Sequence, residues 1–441
     1  PYRDASVIDI NHDNLPDILL AGNFYPNNIQ MGRNDADFGT VLVNLGKGDF
    51  KAESLNGVII KGQGRSDEPL LVQSYWGFLR KEFLAELSQH GTAEGAFIHL
   101  RGGGNSEFLI ALDQTNGKPV WQTKTGPAWN SGAPDWQGSR STPTVDGDRV
   151  YVMTPHGVLI CCESATGKEV WRKDLAKEFE GKKGDGWGYS ESVLIDGDHL
   201  ICTPGGPKNT MVALNKKTGE TKWTSARAED RGAGHASAVI SQVGDTKVYV
   251  QTTASGAMGV RATDGKLLWT YDIDKTTAVI PTPIVRGDMV FFAAGYRRGG
   301  ALLKQVPAGG GEVKVEEQYG IKPELANKHG GIVLVGEHLF GDSDDQGIPF
   351  CADMKTGKVV WKERGTGRGS ASVAAADGCL YIHYTDGTMA LVEATPDGFK
   401  EKGAFKVPGS GMRPSWSHPV ILDGKLYLRE NDRILCYSLK G

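Results

Sequence analysis

The stretch ALDQTNGKPVW, residues 111–121, decides the fold because it recurs. It returns as CCESATGKEVW at 161–171, ALNKKTGETKW at 213–223, GVRATDGKLLW at 259–269 and CADMKTGKVVW at 351–361. The indoles Trp121, Trp171, Trp223, Trp269 and Trp361 are spaced by 50, 52, 46 and 92 residues, and the last interval holds two units. Degenerate copies are read at 300–317 (GALLKQVPAGGGEVKVEE), 389–403 (MALVEATPDGFKEKG) and 433–441 (RILCYSLKG), which makes eight.

Each copy has a similar lead-in, seen in STPTVDGDRVYVMTPHGVLICCESATG at 141–167. An apolar strand enters an Asp-Gly turn, and an alternating strand follows. A polar turn then leads to a third strand, and the Gly-bearing turn to a fourth strand ending at Trp. Asp-Gly pairs between alternating apolar runs are hairpin signals. Four short antiparallel strands per roughly 40–50 residues make a propeller blade. A lone blade cannot bury both faces, so blades stack and close into a ring. The Trp supplies the large apolar area expected to dock one blade on the next. The predicted fold is all-β, a propeller of seven or eight four-stranded blades, with eight preferred.

The bulk numbers agree. Sixty Gly in 441 residues suit a turn-rich β protein. A net charge of −4 gives no reason to expect nucleic acid or an anionic membrane as partner. No apolar run has the length of a membrane-spanning helix. The six Cys form no CxxC pair, and they read as small apolar residues on strands. The chain opens at Pro1 without Met or a signal-type apolar segment, and reads as processed or truncated.

The pattern A-x-D-x-x-T-G-x-x-x-W resembles the tryptophan-docking repeat of quinoprotein-like propellers. Those include alcohol dehydrogenases that use pyrroloquinoline quinone and the propeller lipoprotein of outer-membrane assembly. The stretches at 141–157, 187–198, 202–206, 280–288, 329–336 and 390–403 look most like bacterial proteins with PQQ-binding-like repeats. The resemblance covers about 105–441. It implies the fold strongly and a function only weakly. A periplasmic or secreted location follows from the resemblance alone.

Residues 1–66 look different. VIDINHDNLPDILLAGNF (7–24) and VLVNLGKGDFKAE (41–53) resemble an FG-GAP or VCBS-type β repeat. Asp9, Asn11, Asp13 and Asp17 form a D-x-N-x-D-x-x-x-D loop whose alternate oxygens suit Ca²⁺, with Leu15 lending a carbonyl. The alternative is an Asp/Asn-rich turn that holds no ion. Residues 67–104 match neither repeat and read as a linker. Within it, Phe78, Leu79, Phe83, Leu84 and Leu87 fall at helical spacing and predict one amphipathic helix over 76–91. The last unit lacks a fourth strand, so ring closure is expected to borrow one from upstream.

Two sets of residues invite chemistry. The resemblance brings to mind the adjacent cysteines that cap the quinone of alcohol-oxidising relatives, and Cys161–Cys162 are adjacent. They sit in an ordinary third strand whose neighbours face opposite sides, so a cap is not expected and neither is quinone binding. The second set precedes the first strands, which line the channel of a propeller. Arg140, Trp187, Tyr189, Glu191, His235, His329, Trp416 and His418 are therefore expected at one end of the axis, as a binding rim. The alternative is that each caps its own blade. GxSxG, phosphate-loop and His-x-x-x-His patterns are absent, and the His of GAGHAS (232–237) has no nucleophile at a familiar spacing. The expected function is a non-catalytic extracytoplasmic scaffold that binds a protein or glycan. The alternative is a quinone-dependent oxidoreductase acting on alcohols or sugars.

Overall fold

In the computed structural model, residues 106–441 are described except 114–115, 131–137, 330, 411–413, 415, 423, 431–432 and 440–441. Before 106 the description is confined to strand backbone. Seven four-stranded antiparallel sheets follow one another from 144 to 438. In blade 1 the strands are Thr144–Asp146, Arg149–Met153, Val158–Glu163 and Glu169–Asp174. Blades 2 to 6 span 194–225, 239–272, 284–322, 333–362 and 371–406. Blade 7 runs from 420 to 438, and its fourth strand is Gln73–Ser74, paired to Arg433 and Ile434. This is the upstream strand that the final repeat lacks.

A three-stranded sheet completes the circuit. Ala96–Gly103, inside the stretch read as linker, pairs with Ser106–Asp113, which pairs with Pro119–Pro127. Strand Ser106–Asp113 has two apolar faces. Leu109 and Ala111 share a core with Val150 and Val152 of blade 1, while Ile110 and Leu112 share one with Tyr427 and Cys436 of blade 7. The sheet therefore lies between the last blade and the first. The preference for eight four-stranded blades is corrected: among the described residues of the ring, seven sheets have four strands, and the one carrying Trp121 has three.

The strands before residue 96 form a four-stranded sheet of Tyr2–Ile8, Asp17–Gly22, Thr40–Gly46 and Asp49–Ser54, and a two-stranded pair of Ile59–Lys61 with Pro69–Leu71. The helix expected over 76–91 lies outside the described residues, as do Asp9, Asn11, Asp13 and Leu15; Asp17 opens a strand.

The repeat explains how blades dock. The Trp121 indole Nε1 donates to Ser164 O at 2.9 Å, Trp171 to Lys216 O at 3.1 Å and Trp223 to Ala262 O at 3.1 Å. Each acceptor stands three residues before the turn glycine of the next blade. The indole lies on that glycine: a Cβ on Gly167 would come within 2.4 Å of Trp121 Cε3, and one on Gly265 within 2.5 Å of Trp223 Cε3. Gly is thus required twice, for its positive φ and for the ring above it.

Blade 4 departs from the rule. Its last two strands, Gly299–Gly309 and Glu312–Lys322, are long, and Tyr319 takes the docking position. The Tyr319 hydroxyl donates to Met354 O at 3.0 Å, and its ring lies on Gly357. Trp269, facing this altered blade, donates to the Gln305 side chain at 3.2 Å. Trp361 resumes the pattern on Thr395 O at 2.9 Å.

A second ladder ties the first strands together. Thr142 N–H donates to Ser192 Oγ, Ser192 N–H to Ser237 Oγ and Ser237 N–H to Thr282 Oγ1, at 3.0, 3.0 and 3.1 Å. Hydroxyls at one repeat position thus satisfy backbone donors of the preceding blade, which lateral strand pairing does not reach. The ladder ties the loops that precede the first strands of blades 1 to 4, and Arg140, Trp187, Tyr189, Glu191 and His235 lie on those loops.

Candidate functional site at the axial end

Contacts between blades that are not neighbours reveal where the rim residues meet. Trp187, on the loop before blade 2, stacks on Tyr296 of blade 4, with ring planes 8° apart and centroids 6.5 Å apart. His418, before blade 7, donates from Nε2 to the carbonyl of His329, before blade 5, at 3.2 Å. In a ring of sheets, such contacts form only where the loops converge on the axis.

The first group centres on Asp185. Its carboxylate accepts from His235 Nε2 at 2.9 Å and from the Trp187 backbone N–H at 2.9 Å, and Lys183 Nζ lies 3.5 Å away. Lys183 Nζ also donates to Ala233 O and Gly234 O, at 3.0 and 2.7 Å, which binds the loop before blade 2 to the loop before blade 3. His235 Nδ1 is 2.6 Å from Ser190 Oγ. Arg140 is buried, and its Nε and Nη2 have no hydrogen-bond acceptor among the described residues.

Burial sets the charge states here. It lowers the Arg140 guanidinium to about 10, against the opposing pull of Asp185 and Glu107. It lowers Lys183 to about 8 and His235 to about 4, and the Lys183 charge also lowers His235. Burial works to raise Asp185, but the His235 hydrogen bond and the neighbouring cations outweigh it and hold the carboxyl well below its usual range. At neutral pH the group is therefore a carboxylate, two cations and a neutral imidazole.

The second group is His329, Trp416 and His418. The His329 and Trp416 rings stack at 4.4 Å, and Trp416 Nε1 donates to Thr385 Oγ1 at 2.8 Å. Between the two groups, Lys328 Nζ sits 4.5 Å from the Tyr296 ring centroid and pairs with Asp345. Tyr296 and Arg297 both adopt positive φ, 58° and 63°, and their N–H groups donate to Asp344. That costs backbone strain for two non-glycine residues, the kind of cost found where a loop presents a side chain for use.

Two expected rim residues are turned inward. Tyr189 joins the core between blades 1 and 2, its ring on Gly157 and its hydroxyl donating to Pro204 O at 2.8 Å. Glu191 is buried and accepts from Thr203 N, Thr203 Oγ1 and Gln251 Nε2 at 2.7, 3.0 and 3.0 Å. Burial raises it to about 7. Both lie on the stretch that leads into strand Leu194–Asp196, and both are buried there. Sequence reasoning overlooked Lys183, Asp185 and Tyr296. The KKGDGWG run (182–188) carried a signal, a charged pair beside Gly and Trp, whereas YRRGGA (296–301) read only as a solvated turn.

The adjacent cysteines do not suit a quinone cap. Cys161 lies in the core shared by blades 1 and 2, and Cys162 in the core shared with the three-stranded sheet. Both are free thiols, on opposite sides of one strand and buried in two different cores.

Comparison with known proteins agrees with this architecture. Residues 105–363 match the family model described as outer membrane protein assembly factor BamB. The assembly factor BamB of Shewanella oneidensis is 23% identical over 259 residues, which are 54% of this chain and 60% of that protein. The chain thus spans about 60% of the length of such curated relatives. BamB from Moraxella catarrhalis superposes with a TM-score of 0.53 at 17% identity, covering 84% of this chain and 98% of that one. Quinohemoprotein alcohol dehydrogenase from Comamonas testosteroni gives 0.52 at 14%, covering 84% and 77%. At these identities the structural likenesses speak for the fold alone.

Proposed function

The chain belongs to the family of the outer membrane protein assembly factor BamB, and from that membership we propose that it is a protein-binding scaffold of the cell envelope. It holds another protein against the axial end of its propeller. The observation that carries this reading is the Trp187–Tyr296 stack, which joins non-neighbouring blades and sits on loops fixed by Asp185, Lys183 and Asp344. Rigid aromatic and cationic groups lose little entropy on binding and dominate the energetics of protein interfaces. Among the described residues no helix is long and apolar enough to cross a membrane.

The test is capture of envelope proteins on the immobilised chain and on a Trp187→Ala, Tyr296→Ala variant. Retention of a defined assembly partner by the parent, with at least tenfold weaker retention by the variant, is the expected result. Equal retention by both sinks the axial assignment. A glycan array run in parallel separates a sugar ligand from a protein one. A flat titration with pyrroloquinoline quinone and Ca²⁺ removes the oxidoreductase alternative. For the N-terminal segment the reading is a calcium loop at Asp9, Asn11, Asp13, Leu15 and Asp17, checked by calorimetry with Ca²⁺ against a Asp9→Asn, Asp13→Asn variant.

A further inference from the structure

The His235 that stood without a nucleophile in the sequence has one in the fold, delivered from another blade. Ser190 Oγ lies 2.6 Å from its Nδ1, and Asp185 Oδ2 lies 2.9 Å from its Nε2. The proton positions follow from chemistry. An ionised carboxylate can only accept, so Nε2 carries the hydrogen. The neutral ring then has its lone pair on Nδ1, and Ser190 Oγ–H donates to it. This is the hydrogen-bond order of a nucleophile, a base and an orienting carboxylate.

Two neighbours extend the arrangement. The Arg140 guanidinium acts electrostatically on both Asp185 and His235. Its Nε and Nη2, which form one edge of the guanidinium, find no acceptor among the described residues. A cationic edge with two unused donors is the group that a developing oxyanion requires. The Trp187 ring, 6.5 Å from the His235 ring, supplies an apolar wall. Ser190 is only 5% exposed, which restricts access to small acyl groups.

We propose that Ser190, His235 and Asp185, with Arg140 as oxyanion donor, form an acyl-transfer site for small uncharged carboxylic esters. This activity is separate from the assembly reading and stands or falls without it. Ser190 Oγ attacks the carbonyl carbon while its proton passes to His235 Nδ1, and the carbonyl electron pair moves onto oxygen facing Arg140. Collapse re-forms the carbonyl and breaks the ester C–O bond, and the alcohol leaves with the proton from His235. Water then attacks the acyl-serine, giving its proton to Nδ1. The acid departs, and Ser190 Oγ recovers its proton.

The experiment treats the full folded chain with diisopropyl fluorophosphate and locates the adduct by peptide mass spectrometry. Hydrolysis of p-nitrophenyl acetate is followed in parallel. The expected result is one phosphoryl group on Ser190, none on Ser192 two residues on, and ester hydrolysis abolished in Ser190→Ala. The labelling rate should fall by about 100-fold or more in His235→Gln, in line with removal of a general base. Native tryptophan fluorescence checks that each variant is folded. Absence of an adduct on the folded parent chain overturns the proposal whatever the variants do. So does labelling of Ser190 at the parent rate in folded His235→Gln.

Discussion

The Trp171 indole lies flat on Gly219, 48 residues on, where a Cβ would meet its Cδ2 at 3.0 Å, and its Nε1 donates to Lys216 O. The ring of one blade and the turn of the next are thus a single fitted part. The same fit recurs at Trp121 with Gly167 and at Trp223 with Gly265.

Gly265→Ala is expected to destabilise the chain by about 2–4 kcal/mol. The methyl would enter the Trp223 ring at 2.5 Å and would also force Ala to adopt φ near 76°. Gly287→Ala, at positive φ but with nothing within 4 Å of its Cβ, separates the two terms. It should cost about 1 kcal/mol. Urea unfolding midpoints of the two variants check the difference, and equal losses would mean that the ring contact contributes nothing.

Trp361→Phe should cost less than Trp361→Ala. The first removes the bond to Thr395 O and keeps most of the packing on Phe340 and Phe399, for about 1 kcal/mol. The second opens a cavity, for about 3–5 kcal/mol. Chemical denaturation gives both values.

Stability should fall as the pH drops from about 6.5 to 4. Burial, reinforced by Lys183, lowers His235 in the folded chain from 6.5 to about 4. The unfolded chain therefore takes up the proton first. The contribution is whole above pH 6.5 and is lost toward pH 4, by up to about 3 kcal/mol. Denaturation at pH 7, 5.5 and 4.5 should show the decline, and His235→Gln should flatten it.

Glu107 predicts the opposite trend at alkaline pH. Burial raises it to about 8, against hydrogen bonds from Ser139 and Thr125. A carboxyl with a raised folded pKa is tolerated fully below its unfolded value of about 4.5, and the fold loses stability as pH rises through 8. Glu107→Gln keeps the shape and an acceptor for Ser139 Oγ, 2.6 Å away. It should be more stable than the parent at pH 9, with the gap closing near pH 5, as thermal melts at both values would reveal.

Cys161 and Cys162 should resist alkylation in the folded chain and react readily in urea. Burial pushes both thiols up to about 12, so little thiolate is present at pH 8. Mass spectrometry after iodoacetamide treatment counts the modified sites. Rapid native labelling would contradict their placement in two separate cores.

The blades were legible in the sequence because a blade is local: Asp-Gly turns, alternating apolar residues and a Trp–Gly pair all act within roughly 50 residues. Tyr319 escaped notice since its repeat is stretched by the long strands Gly299–Gly309 and Glu312–Lys322, which displace the docking residue from its usual offset. Arg140, Trp187 and His235 were readable as loop residues, but their partners were not. Asp185 meets His235 across 50 residues, and Trp187 meets Tyr296 across two blades. Only closure of the ring brings those loops to one axis. Closure also decides that Tyr189 and Glu191 point into the stack, where Tyr189 packs in the core of blades 1 and 2 and Glu191 accepts from Thr203 and Gln251 of two successive blades. The amino-acid sequence therefore determined the repeating unit and how it docks. Which side chains meet at the axial end was decided by the tertiary structure, since their proximity depends on the angle through which every blade turns from the last.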